Sequence, residues 1–487
     1  MISIPRNWII AAIIIHIIAA WFSIGHYHDD EYHQILAFAA AKLGLLDTSE
    51  LRWEYAAQLR SGFQPFIAYI TKIPLTTLGI DSPFLHAFLL RLISGFLSLS
   101  AILLLIKSIA SEIKNSAILK WGAFFLLFLW LQVFINIRFS SEGWATSLFL
   151  IGFSLYRLNT SQNKNIFFLI GLFFGFAFLS RYQVGLMLLG LGLWMIFIKK
   201  EIFLNLLPIF AGGLLALLIG FCCDWWLYDQ PVFTAWNYLN TNLLQGRVEA
   251  FTHEAWWYYI YYSAVQILPP LTLGLPIVVL IFWVIFYKHP VTWVTVPFVL
   301  FHHLIGHKEM RFLFPVLPFA PVMFAFILDK YIYKNPINWS GLFFKTGRFL
   351  FYISIIINTV LLILVLFLPA SKEAAMWQKC LSNINQDNNT VVITYDIGEL
   401  NLHFYNEHKL KLISIDESSS LDEITQQYKK NTLFLATRRK SHLKKLSSSK
   451  LHYQLACQIT PDWLTYFNFN NWTSRASLWR LWKIKVE

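Results

Sequence analysis

Long apolar runs separated by short polar connections fill the first 370 positions of this chain. Eleven runs stand out, at 8–24, 84–106, 118–136, 142–158, 165–179, 184–198, 203–222, 265–287, 291–305, 312–330 and 349–369. Each approaches the roughly 20 residues that a helix needs to cross a hydrocarbon core of about 30 Å. The first run has only Arg6 ahead of it and no small-residue cleavage site, so it reads as a retained helix rather than a signal peptide. Near Ser371 the pattern changes. Stretches 390–395, 410–415, 432–437 and 451–457 read as short strands, with 422–430 and 440–446 as helices between them. That alternation predicts a small α/β domain. The expected fold class is therefore a polytopic α-helical membrane domain over 1–370, with about eleven transmembrane helices, followed by a soluble α/β domain over 371–487.

Charge gives the spans a direction. With the N-terminus in the cytoplasm, the inner connections hold Lys107, Lys114 and Lys120; Arg157 and Lys164; Lys199 and Lys200; Lys288; and Lys330, Lys334, Lys345 and Arg348. All are basic, as the positive-inside rule requires. The outer connections are 25–83, 137–141, 180–183, 223–264 and 306–311. An odd number of crossings puts the C-terminal domain on that same non-cytoplasmic side. Only 14% of residues are charged and 57% are hydrophobic, against about 25% charged in soluble domains. The formal net charge of +12 is thus mostly a topology signal. It does not indicate nucleic-acid binding, which calls for a basic patch on a soluble domain. Cys222 and Cys223 end a span as apolar filler, whereas Cys380 and Cys457 lie in the outer domain, where a disulfide is permitted.

Two sets of charges defy this pattern. Asp29, Asp30 and Glu31 follow the first span at once, within 25–34. Three consecutive carboxylates beside hydrocarbon form either a solvated helix stop or a functional site. On the same side, Arg138, Arg181 and the stretch His307-Lys308-Glu309-Met310-Arg311 are cations that the topological bias disfavours. Each alone can be an anchor or a helix-end ion pair, and Arg138 could simply pair with Glu142 four residues on. Taken together, the carboxylates can remove a proton from an attacking hydroxyl, and the cations can hold a departing phosphate. In a membrane that phosphate belongs to a lipid, which describes glycosyl transfer from a lipid-phosphate sugar.

The motifs resemble those of the GT-C superfamily and, more narrowly, the Alg/PIG-type mannosyltransferases of glycosyltransferase family 22. His28-Asp29-Asp30-Glu31-Tyr32-His33-Gln34 is similar to the family's His-Pro-Asp-Glu-x-x-Gln, with Asp29 in place of proline. Trp53-Glu54-Tyr55, then Leu59-Arg60-Ser61 and Pro65, matches Trp-Glu-Tyr…Arg-Ser…Pro. His307 to Phe312 matches His-Lys-Glu-x-Arg-Phe, and Asp224…Tyr228…Pro231…Asn237…Asn240 is similar to a lumenal-loop pattern. The resemblance implies an inverting transfer from a polyprenyl- or dolichyl-phosphate sugar, mannose above all, to a lipid-linked or glycan hydroxyl. Asp30 would be the general base, with Asp29 the second candidate and Glu31 orienting the acceptor or tuning the aspartate. Lys308 and Arg311, then His307, Arg181 and Arg138, would bind the donor phosphate. His28, Trp53, Glu54, Tyr55, Arg60 and Glu309 would contact substrate.

No cofactor is required by that chemistry. A divalent metal held by His26, His28, Asp29, Asp30, Glu31 and His33, or by His302, His303 and His307, is the alternative, although consecutive positions diverge around a helix. Segments 36–45 and 53–66 read as interfacial amphipathic helices shaping a groove open to lipid. The expected location is a bacterial inner membrane or the endoplasmic reticulum, with the site facing periplasm or lumen. Two competing readings remain: a GT-C transferase of an aminoarabinose or pentose type acting on lipid A, protein or cell-wall glycan, and a lipid-linked-sugar transporter. The transporter would show repeats and midplane charges that this chain lacks.

Overall fold

The structure, a computed structural model, describes residues 4–247, 253–334, 342–384, 389–406, 410–416, 420–449, 451–460, 466, 468 and 478–485. The chain forms two compact units. The first comprises Met1–Phe22, Arg52–Ala68 and Leu89–Phe367, and the second Ser23–Leu51, Tyr69–Phe88 and Leu368–Glu487. The second unit therefore takes in two stretches of the long first loop together with everything after the last apolar helix.

Each of the eleven apolar runs contains helix. Among the described residues, three helices, Pro83–Ile109, Phe203–Tyr228 and Lys345–Phe367, are long and apolar enough to cross a membrane, and two bent pairs raise that number to five. Two runs expected to be straight are broken. Ser116–Phe128 and Trp130–Asn136 meet at 49°, and the turn Met310–Val316 meets the following helix at 55°. A break frees backbone groups that hydrocarbon cannot satisfy. At Leu129 the Asn358 amide supplies both partners: its oxygen accepts from Trp130 N–H at 2.9 Å, and its nitrogen donates to Phe128 C=O at 2.9 Å. The run 265–287 is likewise interrupted, where Pro269 and Pro270 lie between Tyr258–Gln266 and Leu275–Ile285.

The first loop also departs from expectation. Ala37, Phe38, Ala39 and Ala40 are all buried, so the helix Ala37–Lys42 is enclosed rather than laid along an interface. Segment 53–66 is not one helix. Trp53–Ala56 and Phe63–Thr77 are separated by a turn that carries Arg60 and Gly62.

The second unit holds a five-stranded sheet: β1 (Thr390–Thr394), β2 (Lys411–Ser414), β3 (Thr432–Thr437), β4 (His452–Gln458) and β5 (Arg480–Lys485), in the order β2-β1-β3-β5-β4. The first three are parallel, and β5 runs antiparallel between β3 and β4. The four strands read from sequence are present, and β5 is an addition. Val391, Ile393, Leu433, Leu435 and Ile484 pack with Leu421 and Leu446 from the two helices into one core. Cys380 and Cys457 are joined by a disulfide, with Cα atoms 5.6 Å apart. It ties the segment after the last apolar helix to the edge strand β4.

Candidate active site

Arg181 and Arg311 converge, although 130 residues separate them. The partner that unites them is Glu142, only 2% exposed. Its Oε1 accepts from Arg181 at 2.6 Å and from Arg311 at 3.3 Å, and its Oε2 accepts from the Ser141 hydroxyl at 3.0 Å. Glu142 sits in the first turn of Ser141–Leu158, where helix polarity favours a carboxylate. Ser140 caps that helix by accepting from Gly143 N–H at 3.1 Å. Arg181 is placed by the end of Lys164–Ser180, where the backbone turns extended. Arg311 lies on the short turn Met310–Val316 created by the bend. Both guanidiniums pack on the ring of Phe312, at 5.1 and 5.2 Å. Glu309 completes the group, bonded to Arg311 Nε and, at 3.0 Å, to His307.

Lys308 and Arg138 have different surroundings. The Lys308 ammonium donates to the carbonyl of Ile305 and, at 3.3 Å, to that of Glu254, and burial pulls it below the usual lysine range. It staples the 305–309 loop to residue 254, an attachment that Glu254 N–H reinforces by donating to Gly306 C=O at 2.9 Å. Arg138 is buried, with its guanidinium 4.8 Å from the Phe134 ring and its Nε donating to the Phe134 carbonyl at 3.3 Å. Glu142 serves Arg181 and Arg311, so the Arg138–Glu142 pair suggested by their spacing is not formed.

Two motifs distant in sequence come together. Asp224, near the end of Phe203–Tyr228, accepts from Gly62 N–H at 2.6 Å and from the Thr234 hydroxyl at 2.5 Å. Gly62 admits no side chain here, since a Cβ would stand 2.3 Å from the Cys223 carbonyl oxygen. The Tyr228 hydroxyl donates to Arg60 C=O at 2.7 Å, and that of Tyr55 to Leu227 C=O at 3.0 Å. Arg60 pairs with Glu54 at 2.8 Å and lies 5.4 Å from the Tyr238 ring. So Glu54, Tyr55 and Arg60 hold the Trp-Glu-Tyr segment against the 224–238 segment. Trp53 is left 37% exposed, with the Arg247 guanidinium 3.6 Å from its ring centre.

An apolar groove runs beside the His307 to Arg311 loop. One cavity of about 400 Å³ is lined by Tyr259, His303, Met310 and Leu313 among others, and one of about 300 Å³ reaches Trp121 and Leu328. The two share Ile267, Leu275, Leu317 and Ala320, so together they form a long trough with an apolar wall.

The acidic turn belongs to the second unit. His28 caps it, its Nδ1 accepting from Asp30 N–H at 3.2 Å. The Asp29 side chain is 63% exposed, 3.8 Å from His26. That of Asp30 is 20% exposed, 3.7 Å from His28, and Glu31 is buried. The turn is fastened to the C-terminal segment of the same unit. Ile24 C=O accepts from Ala370 and Ser371 N–H at 2.8 and 3.1 Å, and Phe404 N–H donates to the Tyr32 hydroxyl at 3.0 Å. Gly25 has φ +88°, and a Cβ there would lie 2.5 Å from Ser371 Cβ, so both conformation and space require glycine. Among the described residues, no three His, Cys, Asp or Glu side chains gather as metal ligands.

Sequence reading missed Glu142 as a hub and Asp224 as a clamp. Both carried a signal: each is a carboxylate at the boundary of an otherwise apolar run.

Comparison with known proteins bears on the whole chain. The GPI alpha-1,2-mannosyltransferase 3 of Bos taurus is 28% identical over 309 residues, 62% of this chain and 55% of that protein. Its Homo sapiens counterpart is 28% identical over 308 residues, 61% and 53% of the two chains. The GPI mannosyltransferase 3 of Yarrowia lipolytica is 24% identical over 294 residues, 60% and 56%. The chain thus spans about half the length of the curated relatives it matches. Among solved structures, ArnT from Cupriavidus metallidurans bound to undecaprenyl phosphate superposes with a TM-score of 0.57 at 11% identity, over 99% of this chain and 97% of that one. Its apo form gives 0.56. The likeness shows a shared GT-C fold. A model of the Alg9-like mannosyltransferase family matches residues 7–398, a stretch that contains the acidic turn, the 53–65 and 224–240 segments and the arginine cluster alike, and the chain belongs to that family.

Proposed function

We propose that this protein transfers a sugar, mannose first among candidates, from a polyprenyl- or dolichyl-phosphate donor to a hydroxyl of a lipid-linked or glycan acceptor, with inversion. The observation that carries this reading is the buried Arg181–Glu142–Arg311 cluster beside an apolar trough in a member of this family. Guanidiniums are suited to a phosphate by their planar forked donors, and the trough suits the lipid chain. In the proposed reaction the acceptor O–H gives its proton to the Asp30 carboxylate as its oxygen attacks the anomeric carbon. The bond from that carbon to the phosphate oxygen breaks, and lipid phosphate leaves with an added negative charge, which Arg181 and Arg311 stabilise. Asp30 is preferred to Asp29 as base because it is the more shielded and is oriented through His28. Glu31 orients the acceptor. Lys308 ranks below the two arginines because its ammonium already serves two carbonyls. His307 braces Arg311 through their shared partner Glu309 and so supports phosphate binding indirectly, and Trp53 offers a sugar-stacking face.

The arginines provide the charge stabilisation that this transfer needs, so the reaction calls for no cofactor. The accompanying topology is eleven crossings, an N-terminus in the cytoplasm, and a 371–487 domain and active site on the periplasmic or lumenal side of a bacterial inner membrane or the endoplasmic reticulum. The test is transfer by the purified protein in detergent from synthetic polyprenyl-phosphate mannose to a panel of lipid-linked acceptors. Product with the inverted anomeric configuration is expected. Turnover only with an aminosugar- or pentose-phosphate donor would move the assignment to the alternative transferase class.

A further inference from the structure

The geometry points to a role for Glu142 that rests on the donor-phosphate reading above. We propose that Glu142 is a positioning residue, the shared buried counter-ion that sets Arg181 and Arg311 side by side so that both address one phosphate.

Three observations carry this. Glu142 is the point where three separate chain segments meet, since its Oε1 bridges Arg181 and Arg311 while Oε2 is fixed by Ser141. All three charged side chains are at least nine-tenths buried. Two guanidiniums packed on one ring, Phe312, repel each other unless an anion lies between them, and removing one partner of a buried ion pair leaves uncompensated charge. Finally, Arg181 directs NH1 to Glu142 and Ser141, yet its buried Nε has no hydrogen-bond partner among the described residues. A buried donor without an acceptor is costly in a purely structural ion pair. It is what a site built for an anionic ligand presents before the ligand arrives.

The role is distinct from that of a phosphate ligand. A carboxylate repels phosphate directly, so Glu142 helps only through the arginines it holds. Losing it should therefore weaken donor binding without altering acceptor binding.

The experiment uses the full chain in detergent, with undecaprenyl phosphate as the binding probe and polyprenyl-phosphate mannose as the donor. Variants are E142Q, R181A, R311A and the double E142Q/R181A. Glutamine is nearly isosteric, and thermal unfolding checks that E142Q is folded. The expected result is a loss of undecaprenyl phosphate affinity in E142Q of about 10- to 100-fold, the size of one or two charge-assisted hydrogen bonds. Donor KM should rise by a similar factor while acceptor KM stays unchanged. In the R181A background E142Q should cost less affinity than it does in the wild type, because only Arg311 is then left for Glu142 to position. If E142Q binds undecaprenyl phosphate like the wild type while R181A and R311A have lost it, the positioning role is overturned and the phosphate reading stands. If R181A and R311A also bind like the wild type, the phosphate reading itself is overturned, and the role of Glu142 with it.

Discussion

The acidic turn and the arginine cluster hold their charges in opposite ways. Asp29, Asp30 and Glu31 are consecutive, and their exposure ranges from an open Asp29 side chain to a buried Glu31 within three residues. Their local geometry is set by a neighbour, His28. Arg181, Arg311 and Glu142 come from three helix ends far apart in sequence, are uniformly buried, and fix one another. A charge set built locally can be read from the chain and altered one residue at a time. A set assembled by packing is invisible until the helices meet, and it responds to substitution as a unit.

The sharpest break of that comparison is within the acidic turn. Asp30→Asn should lower kcat by about 10²- to 10⁴-fold, the usual contribution of a general base, whereas Asp29→Asn, on an exposed side chain, should change it only a few-fold. Steady-state transfer from polyprenyl-phosphate mannose decides this, and equal losses for the two would mean that Asp30 has no special role as base. In the arginine cluster, Arg181→Ala should reduce kcat/KM for the donor by about 100-fold, in line with losing a donor to a developing oxyanion. Lys308→Met should act instead on the loop, giving a lower unfolding temperature and less than about a ten-fold change in donor KM. A Lys308 effect as large as that of Arg181 would restore the lysine as a direct ligand.

A smaller effect is expected at the clamp between the two first-unit segments. Gly62→Ala places a methyl group against the Cys223 carbonyl, so stability should fall by about 1–3 kcal/mol through overpacking. Thermal unfolding in detergent measures it, and an unchanged midpoint would mean that the 52–68 stretch is not held as described. The least effect concerns pH. Burial lowers His403 from its ordinary value of 6.5, and the charge of Glu50, 3.3 Å away, offsets this only in part. The folded form therefore keeps His403 neutral while the unfolded chain takes up a proton. Stability attributable to it is intact above pH 6.5 and declines as pH falls below that toward the folded value. His403→Gln should flatten this slope in unfolding temperature measured between neutral and mildly acidic pH.

Much of this was legible in the chain. Each of the eleven apolar runs contains helix and four strands stood where alternation placed them, because burial period and turn residues are local properties. Strand β5, with the sequence Arg480-Leu481-Trp482-Lys483-Ile484-Lys485, escaped notice. Its basic residues mask the alternation, and it is a strand by virtue of lying between β3 and β4. The bend at Leu129 has no proline or glycine to announce it and depends on Asn358, more than 200 positions away.

The sequence by itself determined that the protein is a largely helical, apolar chain of a particular family type, with charge concentrated in 28–31 and 307–311. Hydrophobic length, loop charge and motif order survive in one dimension because each is fixed by residues near one another. Only the tertiary structure decided that Arg181 joins Arg311, that Lys308 serves as a staple, and that Glu142 and Asp224 are the joints. In low-dielectric surroundings a charge must find its partner wherever the packing brings one, and sequence distance places no limit on where that is.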